Sequence, residues 1–151
     1  MRRRRFLRAL IAAAFGLMSP PVWSQEVAGV IESASGWVRV THRGQSRPAE
    51  AGMQLISGDR VVTGPGSYAG IKLRDETVLT MGPDGLLRIN RFWFNPDTNV
   101  GKMILTVITG TIRVVTGLIG RHTPTAVEIR TMAGTIGIRG TEFIVEAGET
   151  N

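Results

Sequence analysis

The side chains able to do chemistry are few and far apart. Arg139 stands between Gly137 and Gly140, just before the last strand-like run, and its guanidinium is a planar fork suited to a carboxylate. It can present that fork to a partner, or it can satisfy Asp59 or Asp75 at a neighbouring corner. The second use is favoured, because corner arginines are usually paired. Asp59 follows Gly58 at the start of a strand, where an aspartate most often bonds the backbone N–H groups of its own turn. His42 and His122 are the only histidines. Each has polar, turn-like neighbours and no further ligands at zinc spacing, so both are expected to be solvated. Asp75, Glu76 and Asp84 match neither an EF-hand nor a nonapeptide calcium repeat, and no metal site is expected. There is no cysteine, no Gly-x-Ser-x-Gly, no His-Glu-x-x-His and no glycine-rich phosphate loop opening a helix. No catalytic residue, no cofactor and no enzymatic activity are expected.

The best interaction candidates are aromatic. Phe92, Trp93 and Phe94 precede Asn95–Asn99, the most polar and turn-rich stretch, which reads as a surface loop. Alternation puts Phe92 and Phe94 on one face and Trp93 on the other. An exposed aromatic face beside that loop would offer a partner-binding hot spot or a platform for a sugar ring. Packing beneath the loop is the competing use.

The elements that must position these residues are short strands. Val27 to Ile31 starts the pattern, and Gly36–Thr41 sets Trp37, Arg39 and Thr41 on one face against Val38 and Val40 on the other. His42–Gln45 reads as a turn and Ala49–Ile56 as looser chain. Ser57-Gly58-Asp59 turns into Arg60–Thr63, and Gly64–Ser67 breaks the chain before Tyr68–Leu73. Arg74–Thr77 is of hairpin-turn length, Val78–Met81 is a strand, and Gly82–Gly85 is a corner before Leu86–Arg91. Strands are expected again at Lys102–Thr109, Thr111–Thr116, Thr125–Thr131 and Thr141–Val145, with Gly117–Pro124 irregular between them. The 19 glycines and seven prolines supply the corners. Gly36–Val40 echoes Gly110–Val114, which suits two similar half-units. The expected class is all-β: a rolled, solenoid-like sheet of short strands with glycine-rich corners.

The net charge of +6 has a local origin. Arg2–Arg5 and Arg8 supply five of the 18 basic residues, ahead of the apolar run Ala9–Met18, Pro20-Pro21, and Val22 and Ser24 at the −3 and −1 positions. This is the pattern of a secretory signal peptide over residues 1–24, too short in its apolar middle for a span of roughly 20 residues. The general secretory route is expected, although Arg3-Arg4-Arg5-Phe6-Leu7 also fits a twin-arginine signal. The other 13 basic residues face 12 acidic ones, so no nucleic-acid partner is expected. After cleavage no membrane span is expected, and the product would be periplasmic or secreted. Residues 25–151 then form one domain with its core over about 27–147, and the absence of cysteine means a fold without disulfides.

The ordered set Gly36-x-Val38-Arg39-Val40, Gly52-x-x-Leu55-x-x-Gly58-Asp59-x-Val61-x-Thr63-Gly64, Ser67-x-Ala69-x-Ile71-x-Leu73-x-Asp75, Gly110-x-Ile112-Arg113-Val114 and Arg139-Gly140-Thr141-x-Phe143 resembles the FecR domain. The resemblance runs from about Val27 to Ala147. It implies an all-β module outside the cytoplasmic membrane. The best-known members relay a signal from an outer-membrane, TonB-dependent receptor to a cytoplasmic sigma factor. Those members also carry a cytoplasmic helical segment, a membrane span and a further subdomain, none of which is visible here. The motif residues Gly58, Asp59, Thr63, Asp75, Arg139, Gly140, Thr141 and Phe143 are expected to be structural. The implied function is a non-catalytic protein-binding module of the cell envelope, with a part in signal relay. The alternatives are a module for peptidoglycan or another glycan, with Trp93 stacking on sugar, and a self-assembling envelope subunit.

Overall fold

The computed structural model describes residues 25–148; the leader expected over 1–24 lies outside the described residues. Strands account for 61% of the described residues and helices for 6%, so the all-β class holds. The strands are β1 (Val27–Ser35), β2 (Val38–His42), β3 (Gln45–Pro48), β4 (Gln54–Ile56), β5 (Arg60–Thr63), β6 (Tyr68–Leu73), β7 (Val78–Met81), β8 (Leu86–Asn95), β9 (Val100–Val115), β10 (Val127–Thr131), β11 (Gly134–Gly137) and β12 (Glu142–Ala147). A short helix, α1 (Leu118–His122), and a 3-10 turn at Pro124–Ala126 separate β9 from β10.

One strand organises the rest. β9 was expected as two strands; it is a single bent one, because its Gly110 adopts φ +88 where any other residue is strained. Before the bend β9 pairs with β8 and, in parallel, with β10. After it, β9 pairs with β7 and β12. The sheet is therefore curled into two flaps that share β9. The first runs β3-β2-β5-β8-β9-β10-β11 and the second β4-β1-β6-β7-β9-β12. Alternation turns one face of each flap inward. Val40, Val61 and Ile89 from the first meet Ile31, Ile71 and Leu79 from the second in one apolar cluster. Full burial of each such side chain is worth roughly 1.5–3 kcal/mol, which closes the curl.

The glycine corners line up where the chain crosses between flaps, and hydroxyl groups join them. Ser67 Oγ accepts the Trp37 N–H at 2.8 Å, tying the β1–β2 corner to the β5–β6 corner. Thr63 Oγ1 donates to the Gly82 carbonyl at 2.7 Å and accepts the Gly85 N–H at 2.8 Å, reaching the β7–β8 corner. Thr109 Oγ1 donates to the Asp84 carbonyl at 3.1 Å beside the β9 bend. The echo between Gly36 and Gly110 has its cause here. Both glycines have positive φ, +78 and +88, and both mark a crossing, in opposite directions.

Several segments depart from expectation. Gly117–Pro124 holds α1 rather than irregular chain, and β10 starts at Val127 rather than Thr125. β3 and β11 are strands whose bounds the sequence pattern does not mark, β3 starting at Gln45 inside the expected turn; every residue of both is exposed, so neither carries the apolar alternation that marks a strand.

Candidate functional site

The motif carboxylates are bound into the fold. Asp75 is fully buried in the β6–β7 turn. Its Oδ1 accepts the Thr77 N–H at 3.1 Å, and its Oδ2 accepts the Thr77 hydroxyl at 2.9 Å and the Ile119 N–H at 3.3 Å. Its main-chain carbonyl accepts the Leu118 N–H at 2.7 Å, and Thr77 Oγ1 accepts the Gly117 N–H at 3.0 Å. This turn therefore supplies the acceptors that the first amides of α1 lack within so short a helix. Asp59 is also buried and accepts the Ile56 N–H at 2.9 Å, the turn role expected of it. Its Oδ1 also meets His42 Nδ1 at 2.6 Å, so His42 is half-buried and partnered rather than solvated. Gly58 completes that turn with φ +96, and its N–H donates to the Ile89 carbonyl at 2.6 Å. Among the described residues no buried side-chain polar atom lacks a partner.

Arg139 does not pair with Asp59 or Asp75. Both carboxylates are filled by their own turns, and the exposed guanidinium lies at the rim of a cavity instead. Gly140 takes φ +116 next to it, Thr141 gives its carbonyl to the Thr116 N–H at 2.7 Å, and Phe143 packs against the core.

The aromatic triplet splits. Phe92 and Phe94 are 3% and 6% exposed and belong to the core, so they cannot meet a partner; Trp93 is 37% exposed. The cause is a bulge. Alternation from Leu87 and Ile89 would send Arg91 and Trp93 inward, but the register shifts between Ile89 and Arg91. The extra residue is Asn90, whose Oδ1 accepts the Thr106 hydroxyl at 2.7 Å. That one residue reverses the phase of everything after it.

The structure adds a site the sequence reading missed. Between β10–β11 and β12 lies a cavity of about 990 Å³, lined by Val127, Ile136, Ile138, Phe143, Ile144 and Val145 among others. Among the described residues β11 pairs only with β10, and β12 only with β9. The opposite edges are blunted: β3 has four residues including Arg47 and Pro48, and β4 has three. β12 has six residues, no proline, and an outward Ile144 that is 67% exposed between Glu142 and Glu146. An isoleucine at the outward position of Glu-Phe-Ile-Val-Glu-Ala was the available signal.

The sequence pattern of the FecR protein family matches residues 59–151, more than half of the chain. The match begins inside the sheet, since β1–β4 lie before it and complete both flaps. No curated protein and no solved structure matches the chain significantly.

Proposed function

The chain belongs to the FecR family, and from that premise we propose that it is a non-catalytic module of the bacterial cell envelope that binds another protein in signal relay. The observation that carries this reading is the β12 edge with its apolar cavity. An extended segment of a partner would add to β12 by main-chain hydrogen bonds, while its side chains cover Ile144 and reach toward Phe143 and Val145. Trp93, on the outer face of the other flap, remains a candidate contact of its own. The leader-like residues 1–24 support an extracytoplasmic placement. Among the described residues no helix is long and apolar enough to cross a membrane.

A photo-crosslinking residue at position 144, compared with one at the exposed Thr80 of β7, tests the edge directly. The expected result is a discrete adduct with one envelope protein from position 144 alone. Ile144→Lys should weaken capture about tenfold or more while shifting stability by no more than about 0.5 kcal/mol. Identical adducts from both positions, or capture unaffected by Ile144→Lys, contradict the reading. An adduct of the chain with itself assigns the edge to self-assembly.

A further inference from the structure

We propose that the outer face of the first flap is a second binding surface, for an anionic polysaccharide bearing phosphate or carboxylate groups. The formal charge beyond the leader is nearly balanced, yet the fold segregates it. Cross-strand register aligns Thr41, Arg60, Arg88, Thr106 and Arg130 in a line across five strands. Arg39, Arg91 and Lys102 flank that line on the same face, and the one carboxylate on the strands of this face is Glu128. Glu128 is already engaged by Arg130 at 2.9 Å and by Lys102 at 3.9 Å. Among the described residues Arg60, Arg88 and Arg91 have no acidic partner.

Arg60 and Arg88 stand directly opposite one another, an arrangement that disfavours the free sheet and that an anion between them would relieve. The line runs at one end into a cavity of about 420 Å³ whose lining includes Arg43, Arg60, Arg88, Thr41 and Ser57 and no carboxylate. Asp59, beneath it, is buried and occupied by His42 and the Ile56 N–H.

Aromatic rings interleave with these cations. Trp93 lies opposite Lys102, and the exposed Trp37 has the Arg39 guanidinium 6.0 Å from its ring. A sheet face that carries cations and indole rings together suits a linear sugar polymer, whose rings stack on indole while its anions meet the arginines. The choice of a polysaccharide over a nucleic acid rests on the envelope placement proposed above. The site centres on Arg60 and Arg88, on strands that do not pair with β12, and borders the β12 cavity only at Glu128.

Binding of the full chain to phosphorylated dextran tests the proposal, with neutral dextran, polyglutamate, single-stranded DNA and anionic phospholipid vesicles measured alongside. Phosphorylated dextran is expected to bind, neutral dextran not to bind, and about 0.5 M salt to abolish most of the binding. The Arg60→Ser/Arg88→Ser chain should bind about tenfold more weakly and Arg91→Gln a few-fold more weakly, while Lys72→Ser on the other flap binds like the parent. The double variant should also melt no earlier than the parent, since it removes a repulsion. Unchanged binding by the double variant and by Arg91→Gln would overturn the proposal. So would equal or tighter binding of polyglutamate, DNA or vesicles, or an equal response to neutral dextran. Failure of these results leaves the Ile144 crosslinking outcome untouched, so the two readings fail separately.

Discussion

An Asp75→Ala chain is expected to lose about 3–5 kcal/mol of folding stability, read as a lowered urea midpoint. Asp75 is fully buried and accepts three hydrogen bonds, from Thr77 N–H, Thr77 Oγ1 and Ile119 N–H. Bonds to a charged acceptor contribute about 1.5–3 kcal/mol each, and the sum is reduced because the turn relaxes once the carboxylate is gone. Asp75→Asn keeps an acceptor and should lose less. A companion change isolates the geometry of the same latch. Gly117 has φ −89, which any residue can adopt, but a Cβ there would stand 2.1 Å from the Asp75 carbonyl oxygen and 2.4 Å from the Thr77 nitrogen. Both are backbone atoms that cannot step aside cheaply. Gly117→Ala should therefore cost about 3 kcal/mol through crowding alone. Near-parent stability in both variants would mean that α1 is not held by the β6–β7 turn.

The second large effect separates adjacent residues. Phe92→Ala is expected to cost about 3–5 kcal/mol, because it empties a buried site in the common core. Trp93→Ala, one residue on and facing outward, should stay within about 1 kcal/mol. Paired denaturation curves decide the matter. A reversed order would place the bulge at Asn90 wrongly and turn the far half of β8 inside out.

The contrast between these two residues explains what was legible in the sequence. β6 and β7 match their expected spans residue for residue, and the corners at Gly64–Ser67 and Gly82–Gly85 stand where glycine and proline interrupt the alternation. Those signals are local, so a linear reading finds them. The Phe92/Trp93 ambiguity depended on one bulged residue, which alternation on either side cannot locate. α1 has only five residues, too few for a helical period, and its anchors Asp75 and Thr77 lie some 40 residues earlier. β3 is polar and wholly exposed, so nothing in its composition marks it as a strand.

Site residues followed the same division. Asp59 as a turn acceptor was readable because its partner Ile56 is three residues away. The pairing imagined for Arg139 failed because both aspartates are satisfied nearer home. The partnering of His42 required knowing that β2 runs beside β5. Charge segregation needed the register of five strands, which is why the near balance of charge over residues 25–151 hid a cationic face.

Amide hydrogen exchange on the isolated protein is the most direct test of the curled sheet with a free β12 edge. β9 is flanked on both sides, by β8 and β10 before Gly110 and by β7 and β12 after it, so Met103–Leu105 and Ile112–Val114 should be protected at every residue. β12 has one neighbour among the described residues, so protection should alternate from residue to residue across Glu142–Ala147. Continuous protection along β12, or alternation along β9, would contradict the account.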